Sequence, residues 1–460
     1  MQIYHRPDEV KMKSNVTDMT SGNPTVLLLK FSLPMLVGNV FQQLYTMIDS
    51  MIVGNYIGAD ALAAVGATAS VLYLFYSLCG GMSIGIGIVV SQYLGARDEE
   101  SVKRSIANSI YVMLAAALLM SLLGFCFARP VLQLLQTPEN IIKEAELFLK
   151  TNCTGILAIS AYDCVSALLR SLGDSITPLL FLTVSIAVNI GLDFLFVLGF
   201  QWGVFGTALA TIAAQGIAAI GSLIFAFLKN PYFRIPKQNF RPRKQIIGRC
   251  VRLGLPVALQ SSMIAVSCIA LQAVVNSFGS VVVAAFTVTS RLEQLVQQPY
   301  SSLGSAVSTY TGQNIGAGEI ERVRKGYRKS CLIIGSFAVC VLPIAQFCGY
   351  FIMGLFVHDA KVISLGTEAL KITSWFYFPL GLIFITRGLL NGAGDTVYSF
   401  INGVIEMAGR IGLAGPLSKI GGIGVWGIWL ATGLTWLITG TVSVTRYFQG
   451  TWKCKSVVQR

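Results

Sequence analysis

The sequence predicts an all-α polytopic membrane protein, with twelve transmembrane helices in two six-helix bundles related by a parallel internal repeat. Three observations carry this expectation. The 460 residues are 54% hydrophobic and only 12% charged, with a mean hydropathy of +0.67, whereas soluble domains carry roughly 25% charged residues. The apolar residues fall into twelve segments, each near the roughly 20 residues that cross a bilayer. The second half of the chain repeats motifs of the first at one spacing.

The twelve segments span 26–54, 61–90, 104–128, 144–170, 178–200, 204–228, 250–278, 282–308, 326–350, 363–391, 397–414 and 425–448. Lys and Arg collect between them on one side. The 229–252 connection holds eight, from Lys229 to Arg252. The 316–329 connection holds five, and Arg97, Lys103 and Arg104 follow the second segment. Arg446, Lys453, Lys455 and Arg460 lie in or beside the C-terminal tail. The opposite connections near 55–60, 201–203 and 279–281 hold none. Cytoplasmic loops carry such an excess, so a multi-pass plasma-membrane protein with both termini cytoplasmic is expected.

The repeat is read from short motifs. Gln92-Tyr93-Leu94-Gly95-Ala96 matches Gln313-Asn314-Ile315-Gly316-Ala317. Leu168 to Asp174 matches Leu389 to Asp395, and Gly203-Val204-Phe205-Gly206 matches Gly424-Val425-Trp426-Gly427. All three pairs lie 221 residues apart; Leu33-Pro34 and Leu255-Pro256 lie 222 apart. The expected organisation is an N-terminal cytoplasmic segment (1–25), an N-lobe (26–228, helices 1–6), a basic linker (229–249), a C-lobe (250–448, helices 7–12) and a tail (449–460). Paired bundles of this kind place a substrate path between them and work by alternating access.

Other function classes find little support. The net charge of +13 resides in loops between apolar runs, which argues against nucleic acid as a partner. Ten cysteines lie scattered without a CxxC, as small packing residues do. His5 and His358, the only histidines, fall outside the apolar runs, leaving little for metal or histidine-based catalysis. No HExxH or GxSxG occurs, so no enzyme is expected. The glycosylation patterns at Asn15 and Asn152 are short and weak. The first 24 residues lack the apolar core of a signal peptide, and Met12 offers an alternative start to Met1.

Of the carboxylates inside predicted spans, five stand out: Asp49, Asp163, Asp193, Glu293 and Glu406. An ionisable residue there is a functional hypothesis by default. Asp49 lies about 33 Å along the first helix, Asp193 about 22 Å along the fifth, and Thr211 about 11 Å into the sixth from the other side. Asn189 stands one turn from Asp193 on the same face. Four oxygen-bearing side chains from three helices thus reach one outer layer, where they suit Na⁺ or exchange H⁺. The alternative for Asp49 and Asp193 is neutral, hydrogen-bonded packing. At 221 residues, Asp193 corresponds to Ala414 and Asn189 to Arg410, so only the first lobe has the cluster. Gln42, Tyr45 and Asp49 form one stripe that would face a cavity, and Pro34 can kink the same helix. Glu293, Gln294 and Gln297 either line that cavity or pack within the lobe. Glu406 and Arg410, four apart, make a structural ion pair. Asp163 has no clear role. An aromatic-lined cavity with acids suits amphipathic cations.

At this point the chain resembles the multidrug and toxic compound extrusion (MATE) transporters over essentially all of 20–450. The stretches that carry the likeness are Leu33-Pro34-Met35, Phe41 to Gly54, Ala61 to Gly66, Gln92 to Ala96, Leu172-Gly173-Asp174, Asn189 to Asp193 and Gly203 to Gly206. It looks most like the DinF-type branch, whose cation site matches Asp49, Asn189, Asp193 and Thr211 and whose first-helix proline matches Pro34. The NorM-type branch adds C-lobe acids on its seventh and tenth helices. Here the seventh has none and the tenth only Glu368. The resemblance implies an antiporter exporting cationic or amphipathic compounds against H⁺ or Na⁺. It implies no cofactor beyond that ion, membrane lipids as surroundings, and a monomer. A lipid or polysaccharide-precursor flippase of related fold is the alternative, for which Arg170, Arg291, Arg387 and Arg410 leave room.

Overall fold

A computed structural model describes residues 16–458. His5, Met12 and Asn15 lie outside the described residues. Thirteen α-helices follow one another, with no strand among the described residues: α1 Pro24–Ile52, α2 Ala59–Gly95, α3 Glu99–Leu134, α4 Ile142–Ser171, α5 Ile176–Asp193, α6 Gly203–Lys229, α7 Lys244–Asn276, α8 Ser280–Ala317, α9 Ile320–Gly354, α10 Ala360–Ser374, α11 Tyr377–Ala393, α12 Thr396–Lys419 and α13 Gly427–Gln449. Nine are long and apolar enough to cross a membrane. The bent pair α10–α11 makes a tenth crossing. α8 and α12 have the length but carry more polar faces. The fold is two bundles, α1–α6 and α7–α13.

Local chemistry sets the helix starts. Pro24 occupies the first turn of α1, where its missing N–H is harmless, and Asn23 caps the Thr25 N–H at 3.0 Å. Asp98 caps α3 through the Ser101 N–H at 3.0 Å. α7 begins at Lys244, six residues inside the expected linker, because Ile246, one turn before Cys250, already packs into the core there.

The tenth crossing departs from the single segment expected over 363–391. It breaks between Ser374 and Tyr377 with a bend of 53°. Pro379 explains the break: it has no N–H for the Trp375 carbonyl one turn back. The repeat partner α4 has no proline and continues unbroken through the equivalent region.

Most of the apolar core lies in two clusters, and these cross over between the lobes. The first-lobe core takes in Ile246, Cys250 and Leu253 from the start of α7. The second-lobe core takes in Leu28 and Phe31 from the start of α1. α2 and α7 cross at Gly81, Gly85, Gly254 and Ala258, where a Cβ built at Gly85 would fall on the Gly254 backbone. The lobes therefore meet backbone to backbone near the end that carries both termini.

Candidate functional site in the first lobe

The polar cluster sits where α1, α5 and α6 converge, toward the end opposite the termini. Asp49 lies near the end of α1, and Asp193 is the last residue of α5. Both helices widen to an i→i+5 pattern just beyond these acids, over Val53–Ile57 and Phe194–Gly199. Such widened turns recur at functional sites.

Asp193 and Asn189 are buried, at 0% and 2% exposure, while Asp49 is half-buried. The Asp49 and Asp193 carboxyls lie within hydrogen-bonding reach of each other. With its amide nitrogen turned toward the acid, Asn189 donates to Asp193 Oδ2 at 2.8 Å and accepts from the Thr211 N–H at 3.0 Å. The Thr211 hydroxyl donates to the Thr207 carbonyl at 3.1 Å and stands 3.3 Å from the Tyr45 hydroxyl. One oxygen of each acid, Oδ1, is buried without a partner. Two adjacent carboxyls cannot both stay ionised unless a cation lies between them. A single proton shared across the gap satisfies the geometry.

A cavity of about 10 Å³ adjoins the cluster, room for about one water-sized sphere. Gln42, Tyr45, Ser185, Asn189, Thr211 and Gln215 line it together with Ile186 and Ala214. Ser185 and Gln215 escaped the sequence reading. Both carried a usable signal, since each lies one helical turn from a residue already singled out, Asn189 or Thr211. Gln215 Oε1 is buried without a partner, so the cavity holds a spare acceptor.

The equivalent place in the second lobe carries no acid, although Thr432, buried there, is the counterpart of Thr211. Leu271 and Ala414 are buried there with Ile428, Trp429 and Ala431. Arg410, the counterpart of Asn189, turns to other partners: it donates to Glu406 at 2.8 Å and to Ser267 at 3.0 Å. Glu406 also reaches Arg387 at 3.5 Å, and the Gln260 amide oxygen accepts from Arg387 at 2.9 and 3.0 Å.

Glu293 does not join Gln42 and Tyr45. It is buried inside the second lobe, against Thr373 and in the field of Arg410. Gln294, the next residue, is exposed and Gln297 half-buried. A step of one residue turns about 100° on a helix, so Glu293 faces the lobe interior and Gln294 does not. Pro34 lies inside a continuous α1. Asp163 has Arg170, two turns on, as its nearest charge partner.

The Arg387–Glu406–Arg410 group is buried, so breaking it strands charge. Glu406→Gln leaves two buried guanidiniums without their carboxylate and is expected to destabilise the protein by about 3–5 kcal/mol, read as a lower unfolding temperature of the purified protein in detergent. An unchanged transition would show that the group is solvated.

Comparison with known proteins matches this architecture. The MatE family model matches residues 34–195 and 256–414, one block in each lobe. The probable multidrug resistance protein YpnP of Bacillus subtilis strain 168 is 30% identical over 439 residues, 95% of this chain and 97% of that protein. The multidrug export protein MepA of Staphylococcus saprophyticus is 24% identical over 400 residues, 84% and 88% of the two chains. The crystal structure of MATE in the bent conformation superposes with a TM-score of 0.90 at 22% identity, over 97% of this chain and all of that one. Family members are transporters, not enzymes. With two matched lobes and full-length relatives, the chain belongs to the MATE family of multidrug efflux transporters.

Proposed function

We propose that this chain exports amphipathic or cationic organic compounds by antiport against H⁺, with Asp49 and Asp193 as the coupling pair. The carrying observation is that the two carboxyls meet in one lobe only, beside a small polar cavity. Asn189 and Thr211 orient the pair and Tyr45 closes the cavity. Loss of the shared proton sets two negative charges against each other across the α1–α5 gap. Repulsion then favours movement of α1, with Pro34 as the hinge, since it leaves the Lys30 carbonyl without a helical donor. A cationic substrate offsets the same charge, so substrate and proton exclude each other.

H⁺ is favoured over Na⁺ because the two carboxyls lie within hydrogen-bonding reach of each other, where one proton can bridge them. The concentration of Lys and Arg at the terminus-bearing face supports placing that face in the cytoplasm.

Proteoliposomes loaded with a cationic dye test the proposal, with H⁺ and Na⁺ gradients imposed separately. An H⁺ gradient alone is expected to drive dye transport. Transport driven by a Na⁺ gradient alone, at equal pH on both sides, would replace H⁺ with Na⁺ at the pair.

A further inference from the structure

The repeated motif Gln92 to Ala96 and Gln313 to Ala317 lies far from the acid pair. It marks the ends of α2 and α8, which cross at the terminus-bearing face. A Cβ built at Gly95 would fall on the Gln313 carbonyl, and one built at Gly316 would fall on the Gln92 carbonyl. The two helices touch there through bare backbone.

Above this crossing the lobes separate. Ile84 of α2, on the face that Ser91 and Gly95 turn to α8, is 42% exposed. Ser305, 221 residues on, is exposed as well. One turn nearer the termini both faces are shut: Ile88 is 2% exposed and Thr309 9%, and Gln92 and Gln313 are buried. The cleft is thus closed at the terminus-bearing face.

Each glutamine fastens the opposite lobe. Gln92 Nε2 donates to the Gly392 carbonyl at 2.9 Å, and Gln313 Nε2 donates to the Ser171 carbonyl at 3.1 Å. Ser171 and Gly392 are repeat partners. Each glutamine also accepts a backbone N–H from a segment outside the repeat. Gln313 Oε1 accepts from Met19, before α1, at 2.9 Å. Gln92 Oε1 accepts from Val457, after α13, at 2.7 Å.

Two residues away, each segment returns to its own lobe. The Thr17 N–H donates to the Gly173 carbonyl at 3.3 Å. The Lys455 carbonyl packs on Gly394, the repeat partner of Gly173, so closely that a Cβ there would collide. Gly173 and Gly394 hold matching left-handed backbones, φ +89° and +92°. Met19 is fully buried, and Asn314 donates to its carbonyl at 3.0 Å. Two segments unrelated in sequence therefore make the same bridge, each from a glycine of its own lobe to a glutamine of the other.

We infer that Thr17–Met19 and Lys455–Val457 are paired straps, clasped by Gln313 and Gln92, that hold the terminus-bearing face shut and must release before the cleft opens there. The inference rests on alternating access, but its test reads opening and not transport. The clasps are backbone N–H bonds, so proline removes the donor at a chosen strap.

The experiment uses the full chain with its native cysteines replaced by serine and Ile84→Cys as reporter. Inside-out vesicles are treated with a membrane-impermeant maleimide, without substrate or ion gradient. With intact straps, labelling is expected to be slow. Met19→Pro, Val457→Pro and Gln92→Ala are each expected to speed it at least about tenfold, the factor that 1.4 kcal/mol of equilibrium shift gives. Val457→Ala keeps the N–H and is expected to match the intact chain. Unchanged labelling in all three strap variants, each monodisperse on size exclusion, would overturn the inference. A covalent lock covers the case in which those variants fold poorly. The Ser456 hydroxyl lies 3.3 Å from Gln92 Oε1, so a short bis-methanethiosulfonate cross-linker can join Gln92→Cys to Ser456→Cys across the length of the lost glutamine side chain. Cross-linking is expected to stop dye efflux and reduction to restore it. Full efflux with the bridge formed would equally overturn the inference. Were efflux to fail in the unmodified chain while the strap variants still changed labelling, the proposed antiport would fall and the straps would stand.

Discussion

Asp49→Asn is expected to stop ion-driven dye efflux, lowering its rate at least about tenfold, while protein abundance stays normal. An Asn is nearly isosteric with Asp and keeps hydrogen bonds to its neighbours, so folding has little reason to suffer. It cannot gain or lose a proton, so the alternation between a shared proton and two repelling charges disappears. Asp193→Asn should behave alike, and the double variant should lose no more than either single one, because both acids serve one proton. Non-additivity of this kind marks residues that act as a unit. The packing alternative predicts a different pattern: poor yield, with normal transport by whatever protein folds. Additive losses in the double variant would count against a shared proton and for two separate sites.

Gly95→Val is expected to abolish transport as fully, for a different reason. The new side chain would meet the Gln313 carbonyl, and a backbone oxygen cannot rotate away as a flexible side chain can. The lobes could then not close at the terminus-bearing face, and the cleft would stay open there. Gly316→Val should copy the effect from the other side, against the Gln92 carbonyl. Gly66→Ala, also in α2, is a fair control, because a Cβ there has open space. The check is dye efflux at matched abundance. The Ile84→Cys thiol should also label from the terminus-bearing side in Gly95→Val but not in Gly66→Ala. Normal efflux by Gly95→Val would show that the closed crossing of α2 and α8 is not needed in the transport cycle.

Much of the fold could be read from apolar segments and from one constant spacing, because a membrane helix declares itself by composition and a repeat by its motifs. Asp49, Asn189, Asp193 and Thr211 were legible for a related reason: polar groups in an apolar run stand out, and depth along a helix is simple arithmetic. What escaped was mostly backbone and direction. The break at Trp375 depends on one missing N–H from Pro379 in a run that reads as a single span. The widened turns after Asp49 and Asp193 leave no mark in hydropathy. Glu293 was placed on the right helix, but its facing depends on which neighbour covers it. Gln92 and Gln313 were visible as a repeat and mute as to purpose. Their partners are backbone groups 142 to 365 residues away in sequence, which no local pattern can specify.

The shared proton can be read directly on purified protein. In weakly buffered solution, adding saturating cationic substrate is expected to release about one proton per chain, because substrate and proton exclude each other at the pair. The same addition to Asp49→Asn or Asp193→Asn is expected to release none. Substrate binding by the unmodified chain with no proton release, or undiminished release from either variant, would contradict a coupling site at Asp49 and Asp193.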